Sequence, residues 1–239
     1  MMEHIITEAS SYAGRVDHLI DFIAVVVGVW FFVAQYIFFS FIIKYNRKRH
    51  PKAAYITGET KEDGKWVHRA HYSVIFCDLF ILYFAISAWH HIKQEMPSPE
   101  STIRVTGQQW AWKFTDPGQD NQLDTSDDIV TMDELHVKVD TVYQFKLEAK
   151  DVLHSFSVPV FRLKQDAIPG RVITGWFKPT KVGAYDIQCT QMCGIGHGLM
   201  GARIFVETAE QHAAWLLKNS PIKPAAAITN DVKNLANNK

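Results

Sequence analysis

Between Gln188 and Gly201 the chain gathers two thiols, an imidazole and a thioether: Cys189, Cys193, His197 and Met200. Soft thiolate sulfur combined with imidazole and thioether suits copper, whereas a thioether is an unusual ligand for zinc. Gly194, Gly196, Gly198 and Gly201 punctuate the stretch and no regular hydrophobic period runs through it. It therefore reads as a loop that can fold its side chains onto one ion or one small cluster. A mononuclear blue-copper site needs one thiolate, two imidazoles and a weak axial thioether. Two thiolates that both bridge can instead hold two copper ions close together. Each ion then needs one terminal imidazole. His197 supplies one, and the other must come from elsewhere in the chain. Met200 can be the weak axial ligand of one ion, and a backbone carbonyl between the cysteines, that of Gln191, can serve the other. A Cys189–Cys193 disulfide is the alternative use of the two thiols in an oxidising compartment.

Upstream lies Asp151-Val152-Leu153-His154-Ser155, then Lys164-Gln165-Asp166-Ala167-Ile168-Pro169-Gly170-Arg171, and before both Gly107-Gln108-Gln109-Trp110-Ala111-Trp112. With the Cys189–Met200 loop, these segments resemble subunit II of the haem–copper cytochrome c oxidases, which carries the dinuclear copper A centre. The resemblance runs from about His18 to Glu207. It implies copper ligands at His154, Cys189, Cys193, His197 and Met200, with the carbonyl of Gln191 as the sixth. The choice of His154 among 11 histidines rests on this resemblance. It also implies that Trp110 is the aromatic where electrons come in; the alternative is that both tryptophans simply pack the sandwich, which is the role read for Trp112. The role implied is one-electron relay: electrons from cytochrome c or a similar carrier pass to haem in subunit I, where oxygen is reduced to water with proton pumping. Oxidase subunit I and further oxidase subunits are the implied partners.

Two positions depart from the family pattern. Gln191 stands where the family has a glutamate that also holds magnesium. An amide oxygen is a weaker ligand for a hard cation, so the magnesium site loses its carboxylate. Lys150 stands beside Asp151 where the family tends to be acidic for docking a basic cytochrome; Asp116, Asp133, Glu134 and Asp151 can still form an acidic patch, and a different carrier can be the donor.

The elements that must position this chemistry begin with two apolar runs. Leu19–Ile43 is long enough to cross the roughly 30 Å hydrocarbon core as a helix. Tyr72–Ile92 is a second span, with Trp89 near its far end. Asp78 inside it reads as an interhelix hydrogen bond or as proton handling with a partner subunit, and Cys77 as a packing residue. The connector Lys44–Ala70 is rich in Lys and Arg, which puts it on the cytoplasmic side, with turns expected at Gly58 and Gly64. The expected location is a bacterial-type inner membrane, crossed twice, with everything after Pro97 on the periplasmic side. Met1–Val16 lacks the basic start and cleavage site of a signal peptide.

Ser101–Glu207 reads as β. Alternation marks Thr102–Thr106, Leu135–Val139 and Tyr143–Leu147, and strands also fit Ile173–Phe177, Gly183–Gln188 and Ala202–Val206. The fold expected is a two-helix transmembrane hairpin followed by an all-β, cupredoxin-like Greek-key sandwich. Its parts are a membrane-anchoring domain over residues 1–97, a copper domain over 98–207, and a C-terminal helix and tail over 208–239. Thr208 with Gln211 forms a capping box for a helix over Ala209–Lys218, and Asn219–Lys239 reads as an extended tail.

Asp116, Asp120, Asp124, Asp127 and Asp128 crowd a loop among Gly, Asn, Thr and Ser, which can gather the oxygens calcium prefers or stand as a solvated acidic loop. Zero formal net charge and the lack of a basic stripe with interleaved aromatics exclude a nucleic-acid binder. A stand-alone membrane-anchored cupredoxin for copper transport or electron transfer is the alternative function. A quinol oxidase subunit of the same fold lacks the copper ligands that this chain retains, and the nitrous oxide reductases need a propeller domain for which it has no room.

Overall fold

The computed structural model describes residues 5–52 and 55–221. The chain divides into two compact units, one helical and one mainly β.

The helical unit is built on α1 (Ala13–Lys44) and α2 (Lys61–Trp89). Both are long and apolar enough to cross a membrane. Each helix runs further than its apolar stretch, because polar first turns such as Lys61-Glu62-Asp63 continue it beyond the span. Thr60 caps α2 by accepting the amide of Asp63 at 3.2 Å, and Glu62 and Asp63 lie at the positive end of its dipole. Gly58 takes a positive φ, as a turn requires; Gly64, expected in a turn, lies instead inside α2. Phe22 of α1 meets Phe84 of α2 edge to face at 5.4 Å. Phe31, Phe32, Phe38, Phe39, Phe76 and Tyr83 stay exposed. Such surface is stable in lipid and costly in water. Asp78 is exposed on α2 and Cys77 is half-buried.

The β unit is a sandwich of two five-stranded sheets. One has the order β3 (Ile129–Met132), β2 (Ala111–Asp116), β1 (Ser101–Gln108), β5 (Tyr143–Ala149), β8 (Ile173–Phe177). The other has β4 (Glu134–Lys138), β10 (Gly201–Glu207), β9 (Gly183–Cys189), β6 (His154–Val158), β7 (Leu163–Ala167). Neighbours out of chain order and the parallel pairs β1–β5 and β4–β10 give the crossed-over, cupredoxin-like arrangement. Inward residues alternate along the strands: Ile103 and Val105 in β1, Trp112 and Phe114 in β2, Tyr143, Phe145 and Leu147 in β5. They meet Phe156 of β6, which packs edge to face against Trp112, Phe114 and Phe145. Four strands, β2, β3, β6 and β7, go beyond those read from the sequence.

The N-terminal segment joins this unit rather than the helices. Ala9 donates to the Val160 carbonyl at 2.9 Å and its own carbonyl accepts from Thr180 at 2.9 Å. The Ser10 hydroxyl donates to Phe161 O, and buried Tyr12 stacks edge to face on Trp176. At the other end α3 (Ala209–Asn219) carries the expected capping box between Thr208 and Gln211. It is held by Glu207, whose carboxylate reaches His136 at 2.7 Å and His212 at 3.1 Å, and by His136 stacked between Phe205 and Trp215. From residue 222 onward the expected tail lies outside the described residues.

Asp116 closes β2 in a buried position, its Oδ1 accepting the Gly118 amide at 2.9 Å. Burial pushes its pKa up to about 6, against the pull of the Gly118 N–H and with help from Asp128 and Asp127. A raised acid binds its proton more tightly in the fold than in the unfolded chain. Its contribution is fully present below the ordinary value of 3.8 and is lost as pH rises toward 6. Asp116→Asn keeps the acceptor and removes the ionisation. It should stabilise the sandwich by up to about 3 kcal/mol at pH 8 and change little at pH 4, read from denaturant midpoints. Equal effects at both pH values would exclude burial of the charge as the cause.

Candidate metal centre

The sandwich brings the upstream histidine to the cysteine loop. β6 pairs with β9 with Phe156 opposite Cys189, which sets His154 at the end of β6 beside the start of the loop. The ring of His154 is fully buried. Its space is made by Gly107, where an added Cβ would stand 3.0 Å from the imidazole Cδ2. The T-shaped contact with Trp112, centroids 6.0 Å apart, covers another face of the ring.

Asp151 fixes which nitrogen of His154 faces the sulfur atoms. Its Oδ1 lies 2.8 Å from His154 Nε2 and accepts the Val152 amide at 2.7 Å; its Oδ2 accepts the Gln109 amide at 2.7 Å. Burial works to raise this carboxyl, but the hydrogen bonds from His154, Gln109 and Val152 outweigh it and hold the pKa below the usual range. With Nε2–H donating to the carboxylate, Nδ1 keeps its lone pair toward Cys189, as a metal-binding imidazole requires.

The donor atoms form a chain of short separations. His154 Nδ1 lies 3.9 Å from Cys189 Sγ, Cys189 Sγ 3.7 Å from Cys193 Sγ, and Cys193 Sγ 3.6 Å from His197 Nδ1. Met200 Sδ lies 3.8 Å from Cys193 Sγ, and the Gln191 carbonyl 3.3 Å from Cys189 Sγ. Two donors about 2.0–2.3 Å from a common ion in tetrahedral array sit roughly 3.3–3.8 Å apart, so these spacings fit ligands that share ions. Both cysteines are free thiols, and the disulfide alternative is not what the fold holds. His154, Cys189 and Cys193 are also the group of metal-capable side chains whose ligand atoms all lie within 4.8 Å of one another among the described residues. Burial, reinforced by the adjacent Cys189 thiol, pushes the Cys193 thiol up to about 11. Without a metal it is protonated at neutral pH, so a bound ion must displace that proton.

Trp110 lies on the loop from outside, 41% exposed. Its Nε1 points at the Cys193 carbonyl at 3.4 Å, and Gln109 Nε2 donates to the same oxygen at 2.8 Å. Gly196 lets the indole settle, since a Cβ there would come within 2.4 Å of Trp110 Cδ2. Trp112 is fully buried in the core, as its packing role requires. Gln109, Gly107 and the orienting part played by Asp151 escape the sequence reading. A glycine inside the alternating strand β1 was the one available signal, since such glycines mark a close approach.

The five aspartates of the acidic loop do not converge. Asp124 pairs with Arg104 at 2.8 Å, Asp127 Oδ2 accepts the amides of Gln119 and Asp120, and Asp128 accepts that of Asp124. Asp120 accepts from Gln122, and Asp116 from Gly118.

Residues 101–208 match the family described as cytochrome c oxidase subunit II, periplasmic domain. The cytochrome c oxidase subunit 2 of Thermostichus vulcanus is 44% identical over 131 residues, covering 55% of this chain and 37% of that protein. The alternative cytochrome c oxidase subunit 2 of Bradyrhizobium diazoefficiens is 29% identical over 226 residues, covering 85% of this chain and 79% of that one. The chain thus spans little more than a third of the first relative's length and about four fifths of the second's. The crystal structure of the periplasmic domain of subunit II of cytochrome oxidase of Bradyrhizobium japonicum superposes with a TM-score of 0.47 at 29% identity, covering 52% of this chain and 96% of that one. The similarity to cytochrome c oxidase subunit II thus runs through the domain formed by residues 101–208.

Proposed function

We propose that this chain is the electron-accepting subunit of a respiratory terminal oxidase, taking electrons from a carrier outside the cytoplasm and passing them to haem in subunit I for the reduction of oxygen. The observation that carries this reading is the unbroken run of donor spacings from His154 through Cys189 and Cys193 to His197, with Met200 and the Gln191 carbonyl flanking the two sulfurs. Two sulfurs able to bridge, with one imidazole beyond each, make a site for two copper ions rather than one. When bound, such a pair supplies a one-electron store whose charge change is spread over two metals and two sulfurs.

The chain's own residues then do three things. His154 and His197 terminate the site, the former held by Asp151 in the required tautomer. The Phe156, Trp112 and Phe145 packing beneath keeps bulk water from the inner side. Trp110, half exposed and in contact with the loop, gives an incoming electron a conjugated path toward Cys193. Oxygen chemistry and proton pumping belong to partner subunits.

Topology favours a membrane hairpin. The segment before α1 is stitched into the sandwich at Ala9, Ser10 and Tyr12, and the sandwich also follows α2. Two crossings would leave both outer ends on one side and the basic stretch between the helices on the other, which the positive-inside rule assigns to the cytoplasm. The copper domain then lies in the periplasm of a bacterial-type inner membrane.

Cys193→Ser should abolish the two-copper site and electron acceptance while leaving the helices and sandwich folded. Electron paramagnetic resonance with copper quantification on the oxidised protein should give coupling to two equivalent nuclei for the native chain only. Coupling to a single nucleus in the native chain would favour a blue-copper or copper-transport protein. Gly196→Ala drives a methyl group into the Trp110 ring and tests uptake separately from loading. Electron uptake should slow by about tenfold or more with copper content retained, because displacement of a positioned group by about 1 Å is costly. Unchanged uptake kinetics would remove Trp110 from the path.

A further inference from the structure

The outer face of the first sheet is basic where it adjoins Trp110. In β1 the outward Arg104, Thr106 and Gln108 alternate with buried Val105 and Gly107. β2 adds Lys113, and β5 adds Lys146 and Glu148, followed by exposed Lys150. The register puts Thr106 between Lys113 and Glu148 and sets Arg104 beside Lys146. A trough of about 390 Å³ runs among Arg104, Lys113, Glu148 and Lys150. The acids here are already engaged: Asp124 holds Arg104, and Glu148 accepts the Thr106 hydroxyl at 3.0 Å. Among the described residues Lys113 and Lys150 form no ion pair. Asp151, next to Lys150, turns its oxygens to Gln109, Val152 and His154.

β1 runs from this trough at Gln108 into the turn that carries Gln109 and Trp110. The metal loop, which the indole touches at Cys193, Gly194 and Gly196, also presents Met192, Ile195 and Leu199, which are 77%, 97% and 89% exposed. An apolar knob with a charged flank is the make-up of a small transient interface: apolar contact brings the redox groups close, and complementary charge steers and orients the encounter. A carrier with a basic docking face would meet like charge on the β1–β2–β5 flank.

We infer that the partner docking beside Trp110 is a small electron-carrying protein with an acidic face, seated on Trp110, Ile195 and Leu199 with its carboxylates over Lys113 and Lys150. This rests on the electron-accepting reading above: the carrier loses one electron, the metal site gains it, and no bond or proton changes hands.

The test uses the copper-loaded full chain in uncharged detergent, with three probes: an acidic blue-copper protein, a basic c-type cytochrome and a neutral phenylenediamine reductant. Binding is titrated with the two proteins in their oxidised form, and reduction of the site is followed separately. The acidic probe should bind the native chain more tightly than the basic one and should weaken about tenfold between about 20 and 200 mM salt. The double variant Lys113→Glu/Lys150→Glu should weaken the acidic probe about tenfold at low salt and reverse the order of the two, with Lys113→Gln/Lys150→Gln in between. Unchanged copper content in the variants verifies the fold. Tighter binding of the basic probe to the native chain, or acidic-probe affinity indifferent to charge reversal, overturns the inference. The small reductant should reduce native chain and variants alike. A native chain that it fails to reduce overturns the electron-accepting reading, and the docking inference with it.

Discussion

The carboxylate of Asp151 joins two parts of the molecule that the chain keeps far apart, the turn that carries Gln109 and its own turn leading into β6. Its oxygens take the amide of Gln109 in the turn from β1 to β2, the amide of Val152 at the start of its own turn, and Nε2 of His154 on β6. A buried imidazole without a partner for one nitrogen would be costly and would have no defined tautomer. With this partner the ring is fixed, and its other nitrogen faces the thiols. Gln109, located by the same carboxylate, reaches across to the Cys193 carbonyl. One ionised side chain therefore links the histidine from the sandwich to the loop that carries the cysteines.

The sandwich beneath supplies rigidity rather than chemistry. Phe156 lies two residues beyond His154 and is wedged among Trp112, Phe114 and Phe145, so the strand bearing the ligand cannot shift without opening the core. Gly107 and Gly196 mark where backbone must yield space to a ring, one for His154 and one for Trp110. The helices have the opposite character. Their aromatic surface is left outward, and their stability as a pair depends on the solvent that surrounds them. The N-terminal strap across Val160 and Lys178 roots the chain in the sandwich just before α1 begins.

The metal loop was legible in the sequence because its information is chemical: thiols, imidazole and thioether at close spacing in one segment. Strands with one wet face were legible for a related reason, since β1, β4 and β5 alternate. β6 was not: Phe156 and Val158 alternate with Ser155 and Ser157, but five residues make a short signal, and burial of the serines along with the apolar residues means that the alternation marks no wet face. β7 reads as polar, and β3 is only four residues long. The choice of His154 needed the family resemblance, because nothing local distinguishes a histidine that will meet a cysteine 35 positions on. The apolar runs marked the two long helices but not their ends, since propensity and capping carry a helix past its greasy part.

Charge was the least legible property, and the acidic loop explains why. Its aspartates look from composition like a cation site or a steering patch. In the fold the loop folds back on itself, and the carboxylates are directed to Gln119, Asp120, Gln122, Asp124 and Gly118 amides and to Arg104. Each such bond stabilises a turn and leaves less of the charge directed outward. The lysines of the neighbouring sheet have no comparable local use: an ammonium on a four-carbon stem cannot close a turn, so it extends from the strand. Formal neutrality of the chain thus coexists with acids that are hydrogen-bonded within one loop and with lysines on the neighbouring sheet, Lys113 and Lys150, that form no ion pair among the described residues.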